Sequence, residues 1–229
     1  MYPTPLQTSW PSPVLMLPIL RDGTRDLHEH IERHMGLTER FASTREYRTL
    51  LERYYGFYAP LEEQLASQRY EAAWAALDMD FVCRRKIPLL ESDLHALGLT
   101  TADIAALKRC PSDRLPRAST AAELAGCAYV MEGATLGGQV IGRHLELALG
   151  LRPGEPGAKF FYGYGLRTGV LWREFRMGVE GFAAREEAAS PGSSASIAQQ
   201  AVAASRQAFI AMENWLTSEE DESLSEGRL

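Results

Sequence analysis

The chain is short of the features that mark several common protein classes. Its three cysteines, Cys83, Cys110 and Cys127, are odd in number and never fall in CxxC spacing. That argues against a disulfide framework and against a zinc ribbon, and it fits a reducing cytoplasm. Basic residues are outnumbered, 24 to 30, and the charges are interleaved to a net −6. No basic stripe of the kind that grips nucleic acid is present. No Lys or Arg precedes Arg21, and the one early apolar run, Val14 to Leu20, is short and contains Pro18. It reads as neither a signal peptide nor a membrane span. Credible alternation of apolar and polar residues, the mark of strands, is also missing.

Helical spacing is abundant instead. Apolar residues recur at intervals of three and four in Leu20, Leu27, Ile31 and Met35, and again in Tyr47, Leu50, Leu51, Tyr54 and Phe57. Ser43 with Glu46 and Thr120 with Glu123 have capping-box spacing, in which side chains satisfy the orphan N–H groups of a helix start. With 229 residues, 45% of them hydrophobic, the chain is long enough for one substantial core. The reading is all-α: a proline-rich flexible arm over 1–18, one helical domain over 19–217, and a frayed acidic tail over 218–229. Helices are expected near 20–35, 43–67, 81–97 with a disturbance at Pro88, 101–109, 119–149, 166–184 and 194–217. Ala188 to Ser196 should be a loop.

Two places carry chemistry. At 100° per residue His28 falls at the edge of the apolar stripe beside Thr24 and Met35, while His30 and Glu29 point away. Such a histidine is either a hydrogen-bonded core imidazole or an axial ligand for heme iron. His34 also lies toward the apolar side, although its place before Gly36 suits the carbonyls at a helix C-terminus. Periodicity does not choose between the two histidines. The second place is Tyr129 to His144, a helical pattern interrupted by Gly133, Gly137, Gly138 and Gly142. Each interior glycine costs roughly 1 kcal/mol relative to alanine. Either small residues let another helix approach, or bare backbone lies against a planar ligand.

The stretch Leu20-Arg-Asp-Gly-Thr-Arg-Asp-Leu-His28-Glu-His-Ile-Glu32 resembles the proximal-helix signature of the heme oxygenase family, with Thr24 four residues before the histidine and Glu32 four after. Glu132-Gly-Ala-Thr-Leu-Gly-Gly-Gln139 resembles the distal helix of its bacterial members. Tyr55 to Glu62, Arg85 to Gly98 and Phe160-Phe161-Tyr162 are similar to the intervening segments, so that the resemblance spans about 20–217. The wording Tyr-Val-x-Glu-Gly-x-x-Leu-Gly-Gly is nearest the branch that accompanies bacterial phytochromes.

The resemblance implies a helical bundle with heme b (iron protoporphyrin IX) between a proximal and a distal helix, as both cofactor and substrate. It makes His28 the iron ligand and Thr24, Glu32 and Tyr162 heme-binding residues. Gly133, Thr135, Gly137 and Gly138 become the distal, catalytic wall. Arg173 and Arg176 resemble a basic helix that binds heme propionates, and can equally be surface arginines. One departure matters: many members carry aspartate after the first distal glycine, ordering waters for proton delivery, and here that position is Ala134. Thr135, the backbone near Gly133 or waters held by other groups must then serve. The implied reaction opens heme to biliverdin with release of carbon monoxide and ferrous iron. Its implied partners are molecular oxygen, a ferredoxin or flavoprotein reductase, and a bacteriophytochrome accepting the product. A heme carrier or sensor on the same fold is the alternative. A di-iron enzyme would need Glu-x-x-His pairs from facing helices, and none occurs. An adaptor bundle would leave the glycine cost unexplained.

Overall fold

The computed structural model describes residues 15–35 and 43–218. Among these the regular elements are all helical. The long ones are α1 (Met16–Met35), α2 (Thr44–Leu65), α6 (Ala121–Leu149), α8 (Thr168–Ala189) and α9 (Ser193–Thr217). The short ones are α3 (Glu71–Ala76), α4 (Ile87–Ala96), α5 (Thr101–Ala105) and α7 (Lys159–Tyr162). None is long and apolar enough to cross a membrane, among the described residues.

The start signals read from sequence work as expected. Thr120 accepts from the N–H of Glu123 while the Glu123 carboxylate accepts from the N–H of Thr120, and Ser43 accepts from the N–H of Glu46. Pro88 sits in the first turn of α4, where its missing N–H has no intrahelical partner to lose. The helix expected over 81–97 is therefore a 3₁₀ turn at Val82–Arg84 followed by α4.

Two boundaries differ. α1 begins at Met16, inside the stretch expected to be extended, because Pro18 is tolerated in a first turn. The N–H groups of Met16 and Leu17 donate to the Glu180 carboxylate of α8 at 2.9 and 3.0 Å, and Met16 and Leu20 are fully buried. Residues 1–14 of the expected arm, and the acidic tail from 219 onward, lie outside the described residues. The loop expected over 188–196 contracts to 190–192. The Glu187 carboxylate accepts from the N–H groups of Gly192 and Ser194 at 2.8 and 2.9 Å, closing the turn.

α9 is the spine. Along it Gly23 meets Val202, Asp26 pairs with Arg206, His28 touches Phe209 and His30 reaches Glu213. The numbers rise together, so α1 runs parallel to α9. α6 packs on α9 through a stripe of alanines: a Cβ on Gly126 would lie 2.2 Å from the Ala201 carbonyl oxygen, so only glycine fits. The Ser205 hydroxyl is shared between the carbonyls of Gly126 and Ala201, 2.9 Å from each. Trp215 donates its indole N–H to the Arg53 carbonyl at 2.8 Å and ties α2 to the same spine.

Candidate functional site

A cleft of about 750 Å³ opens between α1 and α6, within the size range of cofactor sites. α1 contributes His28, Ile31 and Glu32, and α9 contributes Phe209 and Met212. α6 contributes Gly133 to Gly138 together with Val140 and Ile141. Tyr54, Tyr58, Phe160, Phe161, Tyr129 and Trp172 form an aromatic wall.

The glycines of α6 separate into two kinds. A Cβ on Gly138 would lie 2.7 Å from the Phe161 carbonyl oxygen, so that glycine allows α7 to approach α6. At Gly133 and Gly137 an added Cβ would meet nothing within 4 Å. No contact among the described residues requires glycine there, and both positions line the cleft. At each of them the helix bears a glycine cost of about 1 kcal/mol that packing does not explain. The close-packing reading drawn from the sequence thus holds at Gly138 and does not account for Gly133 and Gly137.

His28 is half exposed, with Nδ1 3.5 Å from Glu32 Oε1 and its ring edge-on to Phe209, centroids 6.0 Å apart. Glu32 thus stands beside one ring nitrogen, and the residue lines the cleft. His34 and His30 are elsewhere: both are exposed and reach Glu213 rather than the cleft or a helix carbonyl. His34 is therefore not the group that faces the cleft, which answers what periodicity left open.

The aromatic wall is set by a buried carboxylate that the sequence pattern did not single out. Asp93 of α4 accepts from the N–H groups of Gly157, Lys159 and Phe160 at 2.8, 2.9 and 2.7 Å. Burial pushes its pKa up, and the backbone hydrogen bonds oppose that rise. These bonds start α7 and present Phe160 and Phe161 to the cleft. Tyr162 is corrected by the same geometry: it is not part of the lining, and its ring packs on Gly154 and Gly165. Thr24 is also behind the wall. It is buried, donates to the Leu20 carbonyl at 2.8 Å and shares a hydrogen bond with Tyr129. Arg173 and Arg176 are exposed on α8 and do not line the cleft, although the neighbouring Trp172 does.

A buried lysine lies at the inner end. Lys86 is 2% exposed, and its Nζ donates to Thr135 Oγ1 and to the Tyr164 hydroxyl. Thr135 donates onward to the Met131 carbonyl at 3.0 Å, and Tyr164 lies 2.8 Å from Glu132 Oε1. Arg84 pairs with Glu132 at 3.1 Å. Behind the lysine, Glu62 accepts from the backbone N–H groups of Lys86 and Ile87 and from Arg85, capping α4. Burial is the main cause that brings the Lys86 pKa down to about 8, with Glu132 and Glu62 opposing it. An ammonium has three donors, and two are taken, leaving one for water or ligand at the cleft wall. The sequence held one signal: a cation at the entrance to α4 opposes the helix dipole and needs a reason.

A helical bundle with a mostly apolar cleft, a histidine on one wall and bare glycine backbone on the other defines a protein with a site large enough for a cofactor. The family model described as heme oxygenase matches residues 16–217. The chain belongs to the heme oxygenase family and is an enzyme of that kind. Its fold is similar to the structure of heme oxygenase from Leptospira interrogans, at 20% identity and a TM-score of 0.63, over 89% of this chain and 98% of that one. No curated protein matches.

Proposed function

We propose that the cleft binds heme b with His28 as the iron ligand, and that the enzyme opens the ring to biliverdin with release of carbon monoxide and ferrous iron. The observation that carries this reading is the pair Gly133 and Gly137, bare toward open space in the cleft that His28 lines. Bound heme supplies iron that activates molecular oxygen, and its own porphyrin is what is oxidised. A neutral imidazole gives less electron push than a thiolate, which suits ring attack over oxygen cleavage. Glu32 holds the imidazole through Nδ1, and Phe209 limits its rotation. Bare backbone at Gly133 and Gly137 would leave room for a planar ring and a small ligand on the α6 side of the cleft.

With Ala134 in place of a carboxylate, Lys86 and Thr135 take over proton supply. The lysine, whose pKa burial brings down to about 8, orients water at the wall and takes its replacement proton from that water, while Tyr164 holds its Nζ in place. Arg173 and Arg176, long and exposed beside Trp172, grip the propionates. Electrons come from a ferredoxin or flavoprotein reductase, and the product passes to a bacteriophytochrome in the cytoplasm. The test is hemin titration followed by turnover with a ferredoxin-type reductant. A hemin complex that is never degraded would establish a carrier or sensor instead.

A further inference from the structure

Outside the cleft, His30 and His34 of α1 and Glu213 of α9 converge on one point. His30 Nε2 lies 3.0 Å and His34 Nδ1 2.9 Å from the same oxygen, Glu213 Oε1. The three ligating atoms all lie within 4.8 Å of one another. The two imidazoles are one helical turn apart, so they share a face of α1 by construction, and their rings stand 5.6 Å apart. The carboxylate is fixed in place: Glu213 is 13% exposed, and the histidines are 54% and 56% exposed.

We propose that His30, His34 and Glu213 form a binding site for a divalent first-row transition metal ion. Two imidazoles and one carboxylate are the donor set that iron, cobalt, nickel and zinc accept. With metal–ligand bonds of about 2.1 Å, ligands at right angles lie about 3 Å apart, close to both nitrogen–oxygen distances, so modest side-chain rotations would turn the three donors onto one ion. The ion displaces protons from imidazoles that otherwise donate to the carboxylate. It also clamps α1, which carries His28, onto α9, whose Met212 lines the cleft beside Glu213. Ring opening would set ferrous iron free in a cleft lined by the same two helices, which makes that ion the natural occupant; the choice of occupant rests on the proposed function, and the site does not.

The probe is Co²⁺ added to the heme-free protein in a non-coordinating buffer, read by its visible ligand-field bands. One ion per chain should bind, and His30→Ala, His34→Ala and Glu213→Gln should each weaken binding at least about tenfold. Anaerobic Fe²⁺ in large excess should displace the cobalt, because iron lies below cobalt in the affinity order. The same variants should titrate normally with hemin, which checks that they fold. Binding that survives all three substitutions, or that disappears instead in Cys83→Ser, overturns the site. Cobalt at the triad that a large excess of Fe²⁺ fails to displace overturns the iron assignment. Loss of hemin binding by the parent, with cobalt binding intact, would sink the heme reading and leave the metal site standing.

Discussion

The ammonium of Lys86 donates to the hydroxyl of Thr135, joining the start of α4 to the wall of α6. That contact places a cation where the family pattern leads one to expect a carboxylate one residue earlier, at Ala134. Lys86→Met should therefore bind hemin with nearly unchanged affinity and slow ring opening by about a hundredfold. Single-turnover decay of the Soret band measures this. The parent rate should fall as pH rises through about 8, where Lys86 loses its proton, and the variant should lack that step. A variant with the parent's rate and pH profile removes Lys86 from proton delivery.

The same lysine makes a signed prediction about stability. Its folded pKa, about 8, is below the unfolded 10.5. Between these values the unfolded chain binds more protons, so this group's contribution to stability rises with pH across that window. Burying the charge is costly below pH 8, and the cost disappears above about 10.5. Denaturation of the parent and Lys86→Met at pH 7.5 and 9.5 isolates the effect, which should not exceed about 3 kcal/mol. Equal pH dependence in both proteins contradicts it.

The α6 glycines should part company under mutation. Gly137→Ala should raise stability by up to about 1 kcal/mol, since nothing obstructs the new methyl. Gly137→Leu should fold well yet impair hemin binding or turnover. Gly138→Ala should destabilise, because its Cβ would press on the Phe161 backbone. Thermal melts with hemin titrations decide, and similar behaviour at 137 and 138 would remove the distinction.

Much of this was legible from local pattern. Helix α6 followed from spacing and its capping residues and α9 from spacing alone, while spacing left His28 and His34 level and only the family resemblance favoured His28. Gly133 and Gly137 announced themselves by a cost that a helix does not bear without cause. Lys86 was not legible, because its partners Thr135 and Tyr164 are 49 and 78 positions away and meet it only in the fold. Asp93 was hidden likewise, its backbone partners beginning 64 positions on. Tyr162 was chosen over Phe160 and Phe161 because a three-residue motif does not reveal which ring turns inward.

Arg173 and Arg176 sit one turn apart on an exposed face of α8. If they grip the propionates, Arg173→Ala or Arg176→Ala should change the biliverdin isomer pattern and weaken hemin binding several-fold. Product chromatography reads the first and titration the second. Unaltered isomers and affinity in both variants would return them to the surface.

Hemin spectra of His28→Ala and His34→Ala should separate the two histidines. Loss of the histidine-type ligand bands is expected in the first variant alone, and loss in the second alone would move the iron ligand to His34.

The most direct test mixes the purified protein with hemin, supplies a ferredoxin-type reductant under oxygen, and follows the Soret band, carbon monoxide and the biliverdin band together. The account predicts that the Soret band decays while carbon monoxide and biliverdin appear in equal amounts. A stable hemin complex that releases neither product contradicts it.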